Sequence, residues 1–156
     1  MKDIVGYEGQ YAVDSEGIVY SLNYRRTGKT KALKAVEAGA GYFRVGLCMN
    51  GKVKRYYNHR LVAQAYLDNY SEDLQVDHID CDKTNNCLSN LRMVTNQQNM
   101  FNNPKAKGYY WHKANKKWMA YIALNGKQHY LGYFDNEQDA RQCYLDAKEK
   151  MHKIST

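Results

Sequence analysis

The chain has 156 residues, 44% hydrophobic and 25% charged, with one Pro and four Cys. That length allows one domain or a string of very small ones, and the composition excludes collagen-like, low-complexity and disulfide-scaffold classes. The net charge of +7 favours a polyanionic partner.

Fifteen residues are Tyr, so the truly apolar stock is modest and the mean hydropathy is −0.78. No apolar run approaches the roughly 18 residues of a membrane span. Met1-Lys2-Asp3-Ile4 lacks the apolar stretch of a signal peptide. Together these predict a cytoplasmic protein without membrane contact. Cys48, Cys81, Cys87 and Cys143 form no C-x-x-C pair, so they read as reduced thiols, and no structural zinc is expected. The charge is unevenly spread. Residues 1–72 carry 11 Lys+Arg against 7 Asp+Glu, residues 73–103 carry 2 against 4, and residues 104–156 carry 10 against 5. Two basic flanks around an acidic centre suit phosphates gripped outside and a divalent cation held within.

Residues 4–22 alternate short apolar stretches with Gly6, Gly9 and Gly17, which predicts a small β-rich unit. The basic run Arg25, Arg26, Lys29 and Lys31 follows; it reads as a flexible arm on DNA backbone or a merely solvated loop. Residues 42–57 predict a hairpin. Phe43, Val45, Leu47 and Met49 share one face, and Asn50-Gly51 is a type I′ turn signal. Residues 59–66 predict a helix with Leu61, Val62, Ala65 and Tyr66 on one stripe. The centre reads as strand (74–79), polar loop (80–86), short strand (91–94) and helix, the helix opened by the capping box Thr95-x-x-Gln98. Pro104 after Asn102-Asn103 is a break signal and places a linker at about 102–107. Three strands follow, at 108–113, 118–124 and 128–134, with Asn125-Gly126 as the second turn. Asp135 with Gln138 opens a last helix whose buried stripe is Ala140, Tyr144, Ala147 and Met151. The fold class expected is α+β.

The run Val76-Asp77-His78-Ile79-Asp80, followed by Asn90-Leu91-Arg92 and Asn99, carries the chemistry. Phosphodiester hydrolysis needs a base for water, and a neutral imidazole serves near neutral pH. The leaving 3′ oxygen gains charge that a divalent cation can stabilise. Asp77 offers a charged ligand and Asn99 a neutral carbonyl. So sparse a donor set suits magnesium, or manganese, with one ion per site. Asn90 is placed to tie the loop to the histidine backbone and fix the imidazole. Arg92 has two open roles, holding the scissile phosphate or forming a structural salt bridge. Neighbouring strand residues point to opposite faces, so Asp77 and His78 share a site only if the strand bends. Asp80, Asp82 and Asn85 do not make a calcium loop, because Asn85 and Leu91 stand where Gly and Glu are needed. His59 could approach the site, though a packing role is the plainer reading.

The run "VDHIDCDKTNNCLSNLRMVTNQQN" resembles the HNH nuclease motif of the ββα-metal class, in the histidine–asparagine–asparagine form of phage and intron homing endonucleases. The resemblance spans residues 76–102. It implies that Asp77 and Asn99 bind metal, that His78 is the general base and that Asn90 orients it. "IVGYEGQYAVDSEGIVYSL", at 4–22, resembles the small modular motif that precedes such nucleases, although the usual Trp at its start is missing. Residues 108–150 resemble the APETALA/ERF-type domain, in which a three-stranded antiparallel sheet backed by one helix enters the DNA major groove. The organisation expected is therefore a modular motif at 1–38, a nuclease domain at 39–102, a linker at 103–107 and a DNA-binding domain at 108–152.

In that last segment Tyr110, His112 and Trp118 interleave with Lys113, Lys116, Lys117 and Lys127, a pattern that suits phosphate contact. The lone Arg there, Arg141, falls on the helix, which weakens the case for base reading. The function expected is a metal-dependent, site-selective endonuclease on double-stranded DNA, as monomer or homodimer. The alternatives are a DNA-binding protein with an inactive nuclease, or a non-specific or RNA-directed nuclease.

Overall fold

The computed structural model describes residues 1–103 and 105–152, so the break expected at Pro104 lies outside the described residues. The chain divides into two compact units, Met1–Thr95 and Asn96–Thr156. The architecture is α+β, the class expected.

In the first unit β1 (Lys2–Asp3), β2 (Tyr11–Val13), β3 (Val19–Ser21) and β4 (Lys31–Ala32) form one antiparallel sheet in that order. The basic stretch expected as a flexible arm is folded into it. Lys31 and Ala32 pair with Ser21 and Tyr20, after a single 3-10 turn at Tyr24–Arg26. Tyr24 gathers the charge there, with Lys31 Nζ 4.3 Å and the Arg25 guanidinium 5.3 Å from its ring centre.

A second antiparallel sheet joins β5 (Val36–Glu37), β6 (Phe43–Met49) and β7 (Lys52–Tyr57). Asn50 and Gly51 turn the β6–β7 hairpin with φ of +51° and +76°, the left-handed pair that a type I′ turn requires. The chain then enters α1 (Asn58–Tyr66) and a two-stranded ribbon, β8 (Gln75–His78) against β9 (Leu91–Val94).

One core serves all of these elements. Ile4, Val13 and Val19 from the first sheet pack with Val45 and Leu47 of β6, Leu61 and Val62 of α1, and Leu91 of β9. Each such side chain contributes about 1.5–3 kcal/mol by leaving water. The residues expected as a separate modular motif therefore share a core with those expected as the nuclease. The division into compact units falls after Thr95, not near residue 38.

The second unit starts with α2 (Asn96–Phe101), directly after the predicted capping Thr95. Its antiparallel sheet runs β10 (Tyr109–His112), β11 (Lys117–Leu124) and β12 (Lys127–Phe134), joined by a left-handed Asn125-Gly126 turn. The final helix is α3 (Glu137–Met151), with Ala140 and Tyr144 buried. Its cap lies one residue later than the predicted Asp135. Asn136 Oδ1 accepts the Asp139 amide, and Asn136 Nδ2 donates to the Asp139 carboxylate. No helix among the described residues is long and apolar enough to cross a membrane.

Candidate active site

The acidic centre of the chain lies on the β8–β9 ribbon and on the loop that joins its strands. Asp77 stands opposite Arg92 in the register and His78 opposite Leu91. Both Asp77 and His78 are buried, at 6% and 4% exposure. A buried carboxylate needs a cation or several donors, and here Arg92 meets it. Nε and one terminal nitrogen both donate to Asp77 Oδ2, at 2.9 and 2.8 Å. Of Arg92's two open roles, the salt bridge is the one this geometry shows.

His78 is the last residue of its strand. The chain turns at once, with the Cys81 amide donating to the His78 carbonyl at 2.9 Å and Cys81 itself at φ +65°. The loop beyond has little apolar packing and is held by hydrogen bonds instead. Asn90 is its clasp. Its Oδ1 accepts the Asp80 amide, its Nδ2 donates to Asp80 Oδ1 and to the Asn85 carbonyl, and its own carbonyl accepts the Ile79 amide. Asp80 accepts further bonds from Asn85 Nδ2 and the Asp82 amide, and these hold its carboxyl below the usual carboxylate range.

The hydrogen bond to the imidazole comes from a residue that sequence reasoning missed. His78 Nε2 lies 3.2 Å from Asn86 Oδ1, while Asn86 Nδ2 donates to the Thr84 carbonyl. That second bond fixes which end of the amide faces the ring. The neutral imidazole that fits this amide orientation carries its hydrogen on Nε2. Asn90 thus shapes the loop and Asn86 holds the ring. The tandem Asn85-Asn86 was the available signal, since Asn85 alone closes onto Asp80.

His59 also belongs to this neighbourhood. Its ring centre is 5.2 Å from that of His78, edge to face, and Tyr42 lies 5.1 Å from His59 and 6.1 Å from His78. Tyr57 stacks on His59 at 5.5 Å. His59 is buried, and its Nδ1 has no hydrogen-bond partner among the described residues. Burial, reinforced by the charges of His78 and Arg60, pushes its pKa down to about 4. It is neutral at neutral pH.

The donors available to a divalent cation are hard oxygens, the Asp77 carboxylate foremost. Among the described residues no three His, Cys, Asp or Glu side chains gather, so such a cation would have few protein ligands. A hard divalent cation suits the oxygen donor that Asp77 offers. Asn99, the other expected ligand, is on α2 in the second unit.

The other expected contact residues fall in two places. Arg25, Arg26, Lys29 and Lys31 are exposed along the edge of the first sheet. In the second unit Tyr110 pairs with Met119 and His112 with Lys117, so these four share one face. Trp118 does not join them. It pairs with Trp111 and Phe134 on the opposite face, the one carrying the buried Ala120. Strand alternation separates Trp118 from the Tyr110 face, so it is a packing residue and not part of that surface. Lys113 and Lys116 are exposed between β10 and β11, and Lys127 opens β12. Lys117 pairs with Asp135 at 3.1 Å.

Comparison with known proteins follows the same lines. Residues 56–101 match the HNH endonuclease family. A solved structure titled "DNA binding and cleavage by the HNH homing endonuclease I-HmuI" superposes with a TM-score of 0.60 and 34% identity, covering 99% of this chain and 92% of that one. The chain belongs to the HNH endonuclease family. In sequence it is 48% identical over 101 residues to the DNA endonuclease I-HmuI of Bacillus phage SP01, covering 65% of this chain and 55% of that protein. It is 34% identical over 97 residues to the uncharacterized HNH endonuclease L245 of Acanthamoeba polyphaga mimivirus, covering 62% and 28%. The chain thus spans about half the length, or less, of the curated relatives it matches. The HNH match takes in α1 as well as the ribbon, and so includes His59.

Two outcomes are expected. The neutral His59 stabilises the fold fully above about pH 6.5, and that contribution is lost as the pH falls towards 4. Between pH 7 and 5 the parent should lose about 1–2 kcal/mol more than His59→Phe, read from urea denaturation. Removing the cation from the Asp77 pair leaves a buried charge, so Arg92→Ala should cost about 2–4 kcal/mol in EDTA by the same measurement.

Proposed function

We propose that the protein is a metal-dependent endonuclease that hydrolyses phosphodiester bonds in double-stranded DNA. The observation that carries this reading is the buried His78, its Nε2 held by Asn86, directly following the buried carboxylate of Asp77 on one strand. In the reaction His78 takes the proton of the attacking water at Nδ1. The imidazolium that forms keeps Nε2–H on Asn86 Oδ1, so the ring does not swing as it charges. His59, neutral and pressed against the same ring, adds no positive charge to oppose this step.

Asp77, with Asn99 as the second ligand implied by the motif, would hold a magnesium or manganese ion, and such an ion would offset the charge growing on the leaving 3′ oxygen. Arg92 orients the Asp77 carboxylate through its two hydrogen bonds to Oδ2. A single base cuts one strand per binding event, so a monomer nicks.

DNA is gripped by basic residues of each unit. In the first unit these are the exposed Arg25, Arg26, Lys29 and Lys31. In the second, the Tyr110–His112 face of the sheet, with Lys113, Lys116 and Lys117 around it and Lys127 at the β11–β12 hairpin, acts in the manner of an APETALA/ERF-type domain. With Lys in place of Arg, this face contributes more to phosphate affinity than to base discrimination.

The deciding experiment is supercoiled plasmid with purified protein in magnesium or EDTA, beside His78→Ala. The parent should give relaxed circles only with metal. The variant should lose about 10²–10⁴-fold in rate, with DNA affinity kept within a few-fold. Salt-sensitive binding without any cleavage would replace the nuclease by a DNA-binding protein. Replacing Lys113 and Lys116 together by Ala should lower the slope of log affinity against log salt by about 2, measured by titration at several salt concentrations.

A further inference from the structure

We infer that the turn between β2 and β3 is part of the active site, and that Gly17 is a positioning residue for His78, acting through Asn86. This rests on His78 being the general base of the proposed nuclease. Gly17 is buried and adopts φ +86°. A Cβ there would lie 2.7 Å from Asn86 Cβ, 3.0 Å from the Asn86 carbonyl oxygen and 3.3 Å from its carbonyl carbon. The neighbour is the root of a side chain and its backbone, so no flexible end can swing away. The Asn86 backbone therefore lies where only a glycine, nearly 70 positions earlier, leaves room for it.

The rest of the turn is fastened to the same loop. The Leu88 amide donates to the Ser15 carbonyl at 2.7 Å, and the Cys87 thiol donates to Glu16 Oε2 at 3.1 Å. Asn58, the neighbour of His59 on α1, donates from Nδ2 to the Gly17 carbonyl at 3.0 Å. Asp14 stiffens the turn from within, its Oδ1 accepting the amides of Glu16 and Ile18. The path from turn to base has three members: Gly17, Asn86 and His78. Its last bond, at 3.2 Å, is already at the long end of the hydrogen-bond range. A displacement of Asn86 by a few tenths of an ångström weakens it, and with it the preference this bond gives for hydrogen on Nε2.

Gly6 supplies the control. It has φ +79° in the same sheet region, but a Cβ there meets nothing within 4 Å. Gly6→Ala thus imposes the same backbone strain without the contact.

The test uses the full chain as parent, Gly17→Ala, Gly6→Ala, Asn86→Ala and the Gly17→Ala/Asn86→Ala double variant. Two readouts are taken: kcat and KM on plasmid, and the imidazole ¹⁵N shifts of His78 in metal-free protein in alkaline buffer. Gly17→Ala should lose at least ~10-fold in kcat with KM within ~3-fold, whereas Gly6→Ala should stay within ~2-fold of the parent. In the Asn86→Ala background, Gly17→Ala should cost less than ~2-fold more, because both act through one contact. The ¹⁵N shifts should show one tautomer in the parent and Gly6→Ala, and a mixture in Gly17→Ala and Asn86→Ala.

Equal losses in the two glycine variants, or losses that multiply in the double variant, overturn the proposal. Should Gly17→Ala fail to fold, Asp14→Ala loosens the same turn without adding an atom. It should shift the tautomer and lower kcat alone; an unchanged tautomer and kcat overturn the inference. A parent that does not cut DNA removes the nuclease reading. The ¹⁵N comparison then still decides whether Gly17 sets the ring of His78.

Discussion

A buried imidazole keeps one orientation only where the groups around it cannot move, and the loop around His78 has almost no apolar material with which to achieve that. Asp80, Asp82, Thr84, Asn85, Asn86 and Asn90 form instead a closed set of hydrogen bonds. Such a network is rigid when complete and costly when any member is missing. The surrounding fold protects it. The ribbon supplies both ends of the loop, α1 places His59 and Asn58 behind it, and the β2–β3 turn closes it from the remaining side. That is why a small unit devotes one core to three sheets and a helix.

The electrostatics follow from the same enclosure. Two titratable side chains, Asp77 and His78, are buried next to each other on a strand, and each is matched differently. The carboxylate has a full cation at hydrogen-bond distance. The imidazole has a neutral amide on one side and a second, neutral imidazole on another. The strand thus sets an ion pair and a hydrogen-bonded ring side by side, each held by its own partner. The acidic centre seen in the charge distribution is in effect a few carboxylates, nearly all committed to local bonds.

Much of this was legible in the sequence because it depends on local periodicity. The alternation of Phe43, Val45, Leu47 and Met49, the two Asn-Gly turns and the stripe of Ala140 and Tyr144 each state their structure within a few residues. The β8–loop–β9 order was equally plain. What could not be read were relations between distant residues. Nothing near Lys31 announces that it pairs with Ser21, so a strand looked like a free arm. Nothing near Trp118 reveals which face α3 covers. Asn86 looked like one more polar loop residue, because its role depends on the direction of its amide, which Thr84 sets. Gly17 looked like ordinary turn chemistry, because the reason for it lies in Asn86. His59 was seen as a candidate, but its distance from His78 is a tertiary fact.

The joining of the β2–β3 turn to the loop before β9 also bears on the order of events during synthesis. Glu16 and Cys87 are 71 positions apart, and the contact between them adjoins Asn86. Contacts of such long sequence separation form late, after the entropy of closing the intervening chain has been met. A ribosome-bound chain that ends between Asp80 and Asn85 has Asp77 and His78 but not Asn86, the residue that holds the ring. On the nuclease reading, the chain therefore cannot orient His78 until the loop has emerged and closed on the β2–β3 turn, and the proposed metal ligand Asn99 emerges later still.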